Sequence, residues 1–252
     1  MKKAPSRVPL WQFRRKILAY YRRYGRDLPW RHTRDPYHIL VSEIMLQQTQ
    51  ASRVVLKYEE FLKLFPNFSK LAKASPAAVL RVWQGLGYNR RGLALHRLAK
   101  IITAKYQSTL PSDVAELEKL PGIGPYTAGA IMVFAFNQPV VILETNIRRV
   151  FLHDFFPDVS FVHDREIKGH IEKTLDQKNP REWYYALMDY GAMLRKTIPN
   201  PNRRSKHYAK QSPFEGSNRQ KRGRMLKAWL GDSNLAPAQL ERKLQKLFPQ
   251  AS

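Results

Sequence analysis

A glycine hairpin between two predicted helices constrains this sequence more than any other feature. The stretch LPGIGPYTAGA contains Gly122 and Gly124, separated by a single residue. This spacing predicts a tight turn between a helix over 113–120, capped by Ser112, and an apolar helix over 126–136. A helix that begins at such a turn presents backbone N–H groups at the positive end of its dipole. The segment therefore predicts a phosphate-binding site built from the main chain.

A large positive charge indicates the source of that phosphate. The 252 residues include 44 Lys and Arg against 20 Asp and Glu, which gives a net charge of +24. Such an excess favours a polyanionic partner, because every phosphate that the protein neutralises releases counterions. An anionic membrane surface is the alternative, but no basic amphipathic helix with a wide apolar face stands out. We therefore expect a nucleic-acid partner and no membrane partner.

The absence of cysteine limits the chemistry of the chain. It excludes disulfides, thiolate zinc sites and cysteine-ligated iron–sulfur clusters, and the seven histidines show no metal-ligand spacing. The longest apolar run, 128–136, is too short to span a bilayer, and the basic start MKKAPSR lacks the apolar core of a signal peptide. We expect a soluble cytoplasmic protein, associated with the nucleoid in a prokaryote.

Helical periodicity dominates the sequence. Apolar residues recur at helical spacing between Pro and Gly breaks, and no alternating strands with hairpin turns occur, so we predict an all-α fold. The predicted helices cover 9–24, 37–48, 53–65, 75–82, 90–106, 113–120, 126–136, 145–155, 164–175, 180–195, 224–230 and 237–247. Residues 197–223, rich in Pro, Asn, Ser, Arg and Lys, are predicted to form a long basic loop. The lack of a heptad seam predicts a monomer.

Two glutamates lie where a carboxylate is chemically informative. Glu43 interrupts the apolar stretch ILVSEIML, where burial beside a cleft would raise its pKa and make it a general acid; the alternative is an exposed polar position. Glu144 precedes a helix, so it either caps that helix or supplies a second carboxylate. Glycoside cleavage uses such a pair, one acid for the leaving group and one carboxylate for the oxocarbenium ion. Tyr126 either packs or hydrogen-bonds a catalytic carboxylate or water.

Polar and basic side chains near the turns are candidate contacts to nucleic acid. Gln47 and Gln48, in the sequence LQQTQ, either hydrogen-bond base edges or end a helix in solvent. Tyr88, at the tip of the turn GLGY, is either an intercalating wedge or a packed side chain. Arg90 and Arg91 begin a basic helix and form either phosphate contacts or a solvated face.

Together these segments resemble the helix-hairpin-helix DNA glycosylases, in particular the adenine glycosylases of the MutY type. The resemblance covers about residues 8–195 and depends most on the long string SEIMLQQTQ. The other matching segments are LPWR at 28–31, DPY at 35–37, GLGY at 85–88, the hairpin at 120–130, NIRRV at 146–150 and MDYGAM at 188–193. The hairpin alone is less specific, since many DNA-binding proteins carry one.

The resemblance implies a role for each candidate residue. The glutamate matching Glu43 protonates the purine N7 and assists attack by water, and the carboxylate matching Glu144 stabilises the oxocarbenium sugar. Tyr126 and Asn146 match an active-site tyrosine and an asparagine that supports the same site. The residues expected to contact DNA are Gln47, Gln48, Tyr88, Gly122, Gly124, Arg31, Arg90 and Arg91. Gln48 and Tyr88 match residues that enter the duplex near the opposing base.

The resemblance also implies an architecture of two helical lobes, with the target base flipped into a cleft between them. The implied parts are one lobe of 1–27 and 140–196, a second of 28–139, and a tail of 197–252 in place of the family's iron–sulfur region. A monovalent cation, sodium or potassium, would bind the hairpin carbonyls near Leu120 and Ile123. No other cofactor is expected.

The chain departs from the family pattern in ways that bear on function. The cysteines that hold the family's iron–sulfur cluster are absent. Only about sixty residues follow Arg195, which is too few for the domain that reads 8-oxoguanine in adenine glycosylases. Glu144 replaces an aspartate, which moves the carboxylate by about 1 Å, a catalytically relevant distance. Tyr126 replaces the lysine of strand-cleaving relatives, so Schiff-base chemistry has no amine there.

We predict a monofunctional DNA glycosylase of base excision repair. Its substrate would be double-stranded DNA with a mismatched or damaged base, and the released base would be adenine opposite guanine or 8-oxoguanine. One alternative is another base, such as hypoxanthine, uracil or thymine, although protonation at N7 favours a purine. Another is a non-catalytic protein that binds mismatches or lesions. A third alternative, a bifunctional nuclease, is disfavoured because position 126 lacks the lysine of strand-cleaving relatives.

Overall fold

A computed structural model describes residues 9–210, 213–232 and 235–248. In these ranges the chain forms thirteen α-helices and two short 3₁₀-helices, and its one β-type contact is an isolated bridge between Val162 and Ser205. The α-helices are α1 Leu10–Tyr24, α2 Pro36–Leu46, α3 Ala51–Leu64, α4 Phe68–Lys73, α5 Pro76–Trp83, α6 Arg90–Lys105, α7 Val114–Glu118, α8 Pro125–Phe134, α9 Thr145–Asp154, α10 Asp164–Thr174, α11 Pro180–Thr197, α12 Asn218–Gly231 and α13 Pro237–Leu247. The prediction of an all-α fold is confirmed.

The chain divides into two compact units. The first unit comprises Met1–Asp27 and Met132–Lys210, and the second comprises Leu28–Ile131 and Gln211–Ser252. This division differs from the predicted one, in which 132–139 belonged to the hairpin lobe and 197–252 formed a separate tail. Phe134 explains the first difference, because its ring stacks on Tyr185 of the first unit at 4.6 Å between centroids. The tail is instead shared between the two units.

Aromatic residues form the core of the first unit. Phe13 of α1 is fully buried against Phe151 and Phe155 of α9 and its C-terminal end, with ring centroids 5.4 Å and 4.9 Å away. Trp183 of α11 approaches the same ring edge-on at 5.9 Å. Such edge-to-face pairs add to the free energy of burying large rings. The packing therefore fixes α1, α9 and α11 against one another.

The second unit has its own core. Trp83 at the end of α5 is fully buried and meets Phe61 of α3 at 5.9 Å between ring centroids. Gly92 lets α6 approach this indole closely, because a Cβ at that position would lie 2.8 Å from the Trp83 ring. A further apolar cluster joins α5 and α6 to α12 and α13, and it consists of Leu80, Leu93, Leu226, Leu230, Leu240, Leu244 and Phe248.

Apart from shifts of one or two residues at helix ends, the structure differs from the sequence prediction at three places. The short helix α4 was not predicted; it begins where the Asn67 side chain accepts a hydrogen bond from the Lys70 N–H. Asp113, rather than Ser112, caps α7 through the Glu116 N–H at 2.9 Å. The basic segment is only partly a loop, because it contains the 3₁₀-helix Pro201–Arg204 and the start of α12.

Among the described helices, none is both long enough and apolar enough to cross a bilayer. The described residues also contain no group of three or more His, Asp or Glu side chains arranged to hold a metal ion.

Candidate active site

Helix α2 carries Glu43, and its first residues form a well-defined N-terminal cap. The Asp35 carboxylate accepts hydrogen bonds from the N–H groups of Tyr37 and His38 at 2.8 Å and 3.1 Å, while Pro36 occupies the first helical position. Glu43 lies two turns further on and only 7 % of its surface is exposed. The alternative of an exposed polar position is therefore wrong, and the helix holds a carboxyl group inside the second unit.

The C-terminal end of α2 is held by Arg91. Its guanidinium donates to the carbonyls of Ile44 and Met45 at 2.9 Å and 3.0 Å. The remaining acceptors are the carbonyls of Gln47, Leu86 and Gly87 and the hydroxyl of Thr49. Burial lowers the pKa of the Arg91 guanidinium to about 10, so it remains charged at neutral pH. These acceptors engage both Nη groups of Arg91, which gives the side chain a structural role, while its contact with a phosphate stays a prediction.

Replacing Arg91 by lysine should separate this role from a contact with DNA. An ammonium group cannot reach acceptors from both the end of α2 and the Gly85–Tyr88 turn, so we expect a loss of about 1–3 kcal/mol in the free energy of unfolding. Arg90→Ala is the matched control, since the adjacent Arg90 is exposed, and it should change stability by less than about 0.5 kcal/mol. Urea unfolding measures both. Equal stability of the two variants would contradict the structural role.

Two segments that follow or face α2 adopt left-handed backbone conformations. Gln48 has φ 54° and is exposed. In the turn after α5, Gly85, Gly87 and Tyr88 have φ values of 92°, 71° and 47°. A positive φ is unfavourable for a tyrosine, so the turn holds this side chain at a conformational cost. Gln48 and Tyr88 therefore both lie at positions with a left-handed backbone conformation.

The glycine hairpin between α7 and α8 is linked to the end of α2. Gln47 donates from Nε2 to the Thr127 hydroxyl at 3.1 Å. Gly122 has φ +85°, and a Cβ there would lie 3.0 Å from the Ala94 Cβ on α6. Gly124 is exposed, and a Cβ there would meet no heavy atom within 4 Å. Packing therefore explains Gly122, whereas no contact within the protein requires a glycine at position 124.

Three other predicted site residues lie at the base of the hairpin. Leu120 and Ile123 are buried, and the Ile123 N–H donates to the Leu120 carbonyl at 3.2 Å. Tyr126 is the second residue of α8 and is half-buried. Arg31 is half-buried in the 3₁₀-helix Pro29–Arg31 of the same unit.

In the first unit, Glu144 is the N-cap of α9. Its Oε1 accepts the N–H groups of Asn146 and Ile147 at 2.7 Å and 2.9 Å, and its Oε2 accepts the Asn146 side-chain amide at 3.2 Å. The capping interpretation is therefore correct, and it leaves further lone pairs on the carboxylate for a substrate. Burial raises the pKa of the Glu144 carboxyl above its ordinary value, although these N–H donors and the nearby Arg149 act in the opposite direction.

Arg149 of α9 and Gly191 of α11 hold Asn146, the residue that supports this carboxylate. The Arg149 guanidinium donates to the Asn146 side-chain oxygen at 2.6 Å and to the Gly191 carbonyl at 2.7 Å. The helices approach so closely that a Cβ at Gly191 would lie 2.3 Å from the Asn146 carbonyl oxygen. Arg149 was not predicted as a site residue. Its spacing of three residues from Asn146 was the available signal, since such residues lie on one helix face.

Gly191→Ala should therefore be strongly destabilising. The added methyl group collides with backbone, which cannot move aside as a side chain can, so we expect a loss at the upper end of about 1–3 kcal/mol or above. Gly169→Ala is the matched control in α10, because nothing lies within 4 Å of its Cβ and alanine favours helix by up to about 1 kcal/mol. Chemical denaturation measures both, and a neutral Gly191→Ala would contradict the close approach of α9 and α11.

A comparison with known families identifies the fold. Residues 41–177, more than half of the chain, match the HhH-GPD superfamily of base excision DNA repair proteins. The chain belongs to this superfamily. The matched region includes Glu43, the hairpin, Glu144 and Asn146, whereas the resembling segments at 28–31, 35–37 and 188–193 lie outside it.

Relatives of this HhH-GPD protein are named adenine DNA glycosylase. One from Buchnera aphidicola is 38 % identical over 187 residues, which cover 72 % of this chain and 52 % of the relative. One from Mycobacterium tuberculosis is 47 % identical over 135 residues, which cover 53 % and 44 %. The chain spans about half the length of these curated relatives. A solved thermostable thymine-DNA glycosylase is 27 % identical, with a TM-score of 0.65 over 73 % of this chain and 86 % of that one.

The HhH-GPD protein also uses the segment after α11 to support α9. Asn202 donates from its side chain to the carbonyl of Thr145, the first residue of α9, at 3.0 Å. Arg204 donates to the carbonyl of Leu152 near the other end of the helix at 2.6 Å. Sequence composition gave no sign of either contact, because the partners are more than fifty residues away in the chain.

Proposed function

We propose that this protein is a monofunctional DNA glycosylase that releases adenine from mispairs with guanine or 8-oxoguanine. The observation that carries the proposal is that relatives up to 47 % identical are named adenine DNA glycosylase. The buried Glu43 and the cap residue Glu144 supply the two carboxyl groups that such a reaction requires.

The two carboxyl groups have different tasks in the proposed reaction. Glu43 donates a proton to N7 of the adenine, which turns the base into a neutral leaving group, and then accepts a proton from the attacking water. Glu144 remains ionised and stabilises the positive charge that develops on the sugar. Asn146 holds the Glu144 carboxylate through its backbone and side-chain N–H groups. The proposed role of Tyr126 is a hydrogen bond to a catalytic carboxylate or water.

Double-stranded DNA is the proposed partner, bound by a monomer. The net charge of +24 favours a polyanion, and the exposed hairpin offers main-chain N–H groups to a phosphate. The carbonyls of Leu120 and Ile123 are of the hard-oxygen type that sodium or potassium prefers, so a monovalent cation is proposed beside them. The target nucleotide must leave the base stack before hydrolysis.

Lyase activity is excluded from the proposal because position 126 carries a phenol where strand-cleaving relatives carry an amine. Borohydride treatment during turnover traps a Schiff base if one forms. We expect no covalent protein–DNA adduct with this protein and an adduct with a bifunctional glycosylase run in parallel. A trapped adduct would overturn the monofunctional assignment.

Release of thymine opposite guanine is the second candidate, because the similar solved structure is that of a thymine-DNA glycosylase. Single-turnover base release from a panel of duplexes separates the two. The panel holds adenine opposite guanine, adenine opposite 8-oxoguanine, hypoxanthine, and uracil and thymine opposite guanine, each followed by alkali cleavage. Release of adenine supports the first candidate and release of thymine alone supports the second. Tight binding without release from any duplex would leave a lesion-binding protein.

A further inference from the structure

The helical hairpin α12–α13 is built into the second unit by an apolar cluster. Leu226 and Leu230 of α12 and Leu240 and Leu244 of α13 are buried together with Leu80 of α5 and Leu93 of α6. A hairpin anchored this way holds its remaining side chains at defined positions. The hairpin begins beyond residue 210, outside the region that matches the superfamily.

One cation on the anchored face of α12 reaches the turn that carries Tyr88. Arg219 precedes Leu226 by seven residues and Leu230 by eleven, so all three lie on the same helix face. Its Nη1 donates to the Tyr88 hydroxyl at 2.8 Å, and the guanidinium carbon lies 5.8 Å from the ring centroid. The Arg91 guanidinium lies 5.4 Å from the same centroid. Two cations thus hold a phenol whose backbone is already in the left-handed region.

The solvent-facing side of α12 is strongly basic. Lys221, Arg222 and Lys227 are exposed, and the helix contains no acidic residue. An aromatic ring beside a basic surface is the combination with which proteins bind nucleic acids, since the ring stacks on bases while the cations neutralise phosphates.

We propose that α12 is a second DNA-binding element, in which Arg219 positions the Tyr88 ring for stacking on a base and the exposed cations contact phosphates. This inference rests on the proposed function in that it takes DNA as the partner. Arg219 acts through Tyr88, so it is a positioning residue. The hydroxyl bond fixes the direction of the ring axis, and the anchored hairpin fixes the guanidinium.

The test measures binding to a duplex with a tetrahydrofuran abasic site opposite guanine, which requires no turnover. Arg219→Ala and Tyr88→Phe should each raise the Kd by about 5–10-fold, within the range that loss of one stacked base produces. The double variant should bind no more weakly than the weaker single variant, because both changes break the same bond. If the fold-changes in Kd of the two single variants multiply in the double variant, or if Arg219→Ala leaves the Kd unchanged, the positioning role is overturned. Thermal unfolding checks that each variant is folded.

A spectroscopic readout separates positioning from general stability. With 2-aminopurine in place of the base opposite the abasic site, stacking of the Tyr88 ring should quench its fluorescence on binding. We expect Arg219→Ala to lose most of this quenching even at protein concentrations that saturate the duplex. Full quenching at saturation would show that Tyr88 needs no support from α12.

Two double variants that remove the same number of charges test the phosphate contacts. Lys221→Ala with Arg222→Ala should lower the slope of log Kd against log salt by about 1.8, because each phosphate contact contributes about 0.9. Arg242→Ala with Lys246→Ala removes two exposed cations from α13 and should leave the slope nearly unchanged. Equal slopes for the two would overturn the contact by α12. If these variants change the Kd and the salt slope as expected but the protein releases no base, only the proposed glycosylase activity is refuted.

Discussion

Glu43→Gln is expected to lower the single-turnover rate of adenine release by about 10²–10⁴-fold. The amide has nearly the same shape as the carboxylic acid, so it fits the buried position on α2, but it cannot donate a proton to N7 or accept one from water. The measurement is alkali-cleaved product against time, with enzyme in excess over a duplex that contains adenine opposite guanine.

Binding separates this effect from loss of structure. Glu43→Gln should bind the tetrahydrofuran duplex within about twofold of the unchanged protein, a shift of about 0.4 kcal/mol, because binding needs no proton transfer. Glu59→Gln on α3 is a control that removes an exposed carboxylate and should release adenine at the normal rate. Normal adenine release by Glu43→Gln would remove this residue from the reaction.

Glu144→Gln is expected to slow adenine release by about 10²–10³-fold, the range for removal of one electrostatic contact to a developing charge. Glutamine keeps an oxygen that accepts the N–H groups of Asn146 and Ile147, so the cap of α9 is preserved. The loss therefore reports the missing negative charge together with the bond from the Asn146 side-chain amide, which the glutamine nitrogen cannot accept. Glu144→Asp keeps the charge but withdraws it by one methylene group. Its rate of adenine release should lie between those of the unchanged protein and Glu144→Gln. Equal rates for all three proteins would contradict the electrostatic role.

The pH dependence gives a second readout for Glu144. Its carboxylate acts only when ionised, and the ionised form is lost as the pH falls through its pKa. Burial raises that pKa above the ordinary value of 4.5, so activity should begin to fall at a pH above 4.5 on acidification. In Glu144→Gln this acid limb should disappear, because the amide does not titrate. A limb that persists unchanged in the variant would belong to another group.

Local sequence signals predicted the elements that depend on neighbouring residues. The bounds of α13 were predicted as the structure has them, with a proline at the first position, whereas α2 was predicted over 37–48 and lies at Pro36–Leu46. Helix α4 has only six residues, too few for an apolar periodicity to show. At α7 the sequence offers Ser112 and Asp113 as caps, and only the backbone conformation decides between them.

Long-range contacts decided what the sequence could not predict about the site. The basic helix that starts with Arg90 and Arg91 suggested phosphate contacts for both, yet four acceptors of Arg91 come from residues 44–49 at and after the end of α2, more than forty residues away. The burial of Glu43 required knowledge of which face of an almost wholly apolar helix meets the core. The network of Asn146, Arg149 and Gly191 depends on how closely α9 and α11 approach.

The contacts made by Asn202 and Arg204 determine where this protein can be cut. A fragment that stops at Thr197, the end of α11, would contain every α-helix of the first unit but would expose the carbonyls of Thr145 and Leu152 that the 3₁₀-helix Pro201–Arg204 covers. The bridge between Val162 and Ser205, with the Lys206 N–H donating to the Val162 carbonyl, extends the required chain to residue 206. A shortened chain that keeps these contacts of the first unit must therefore include Lys206, and a cut at the end of α11 would remove them.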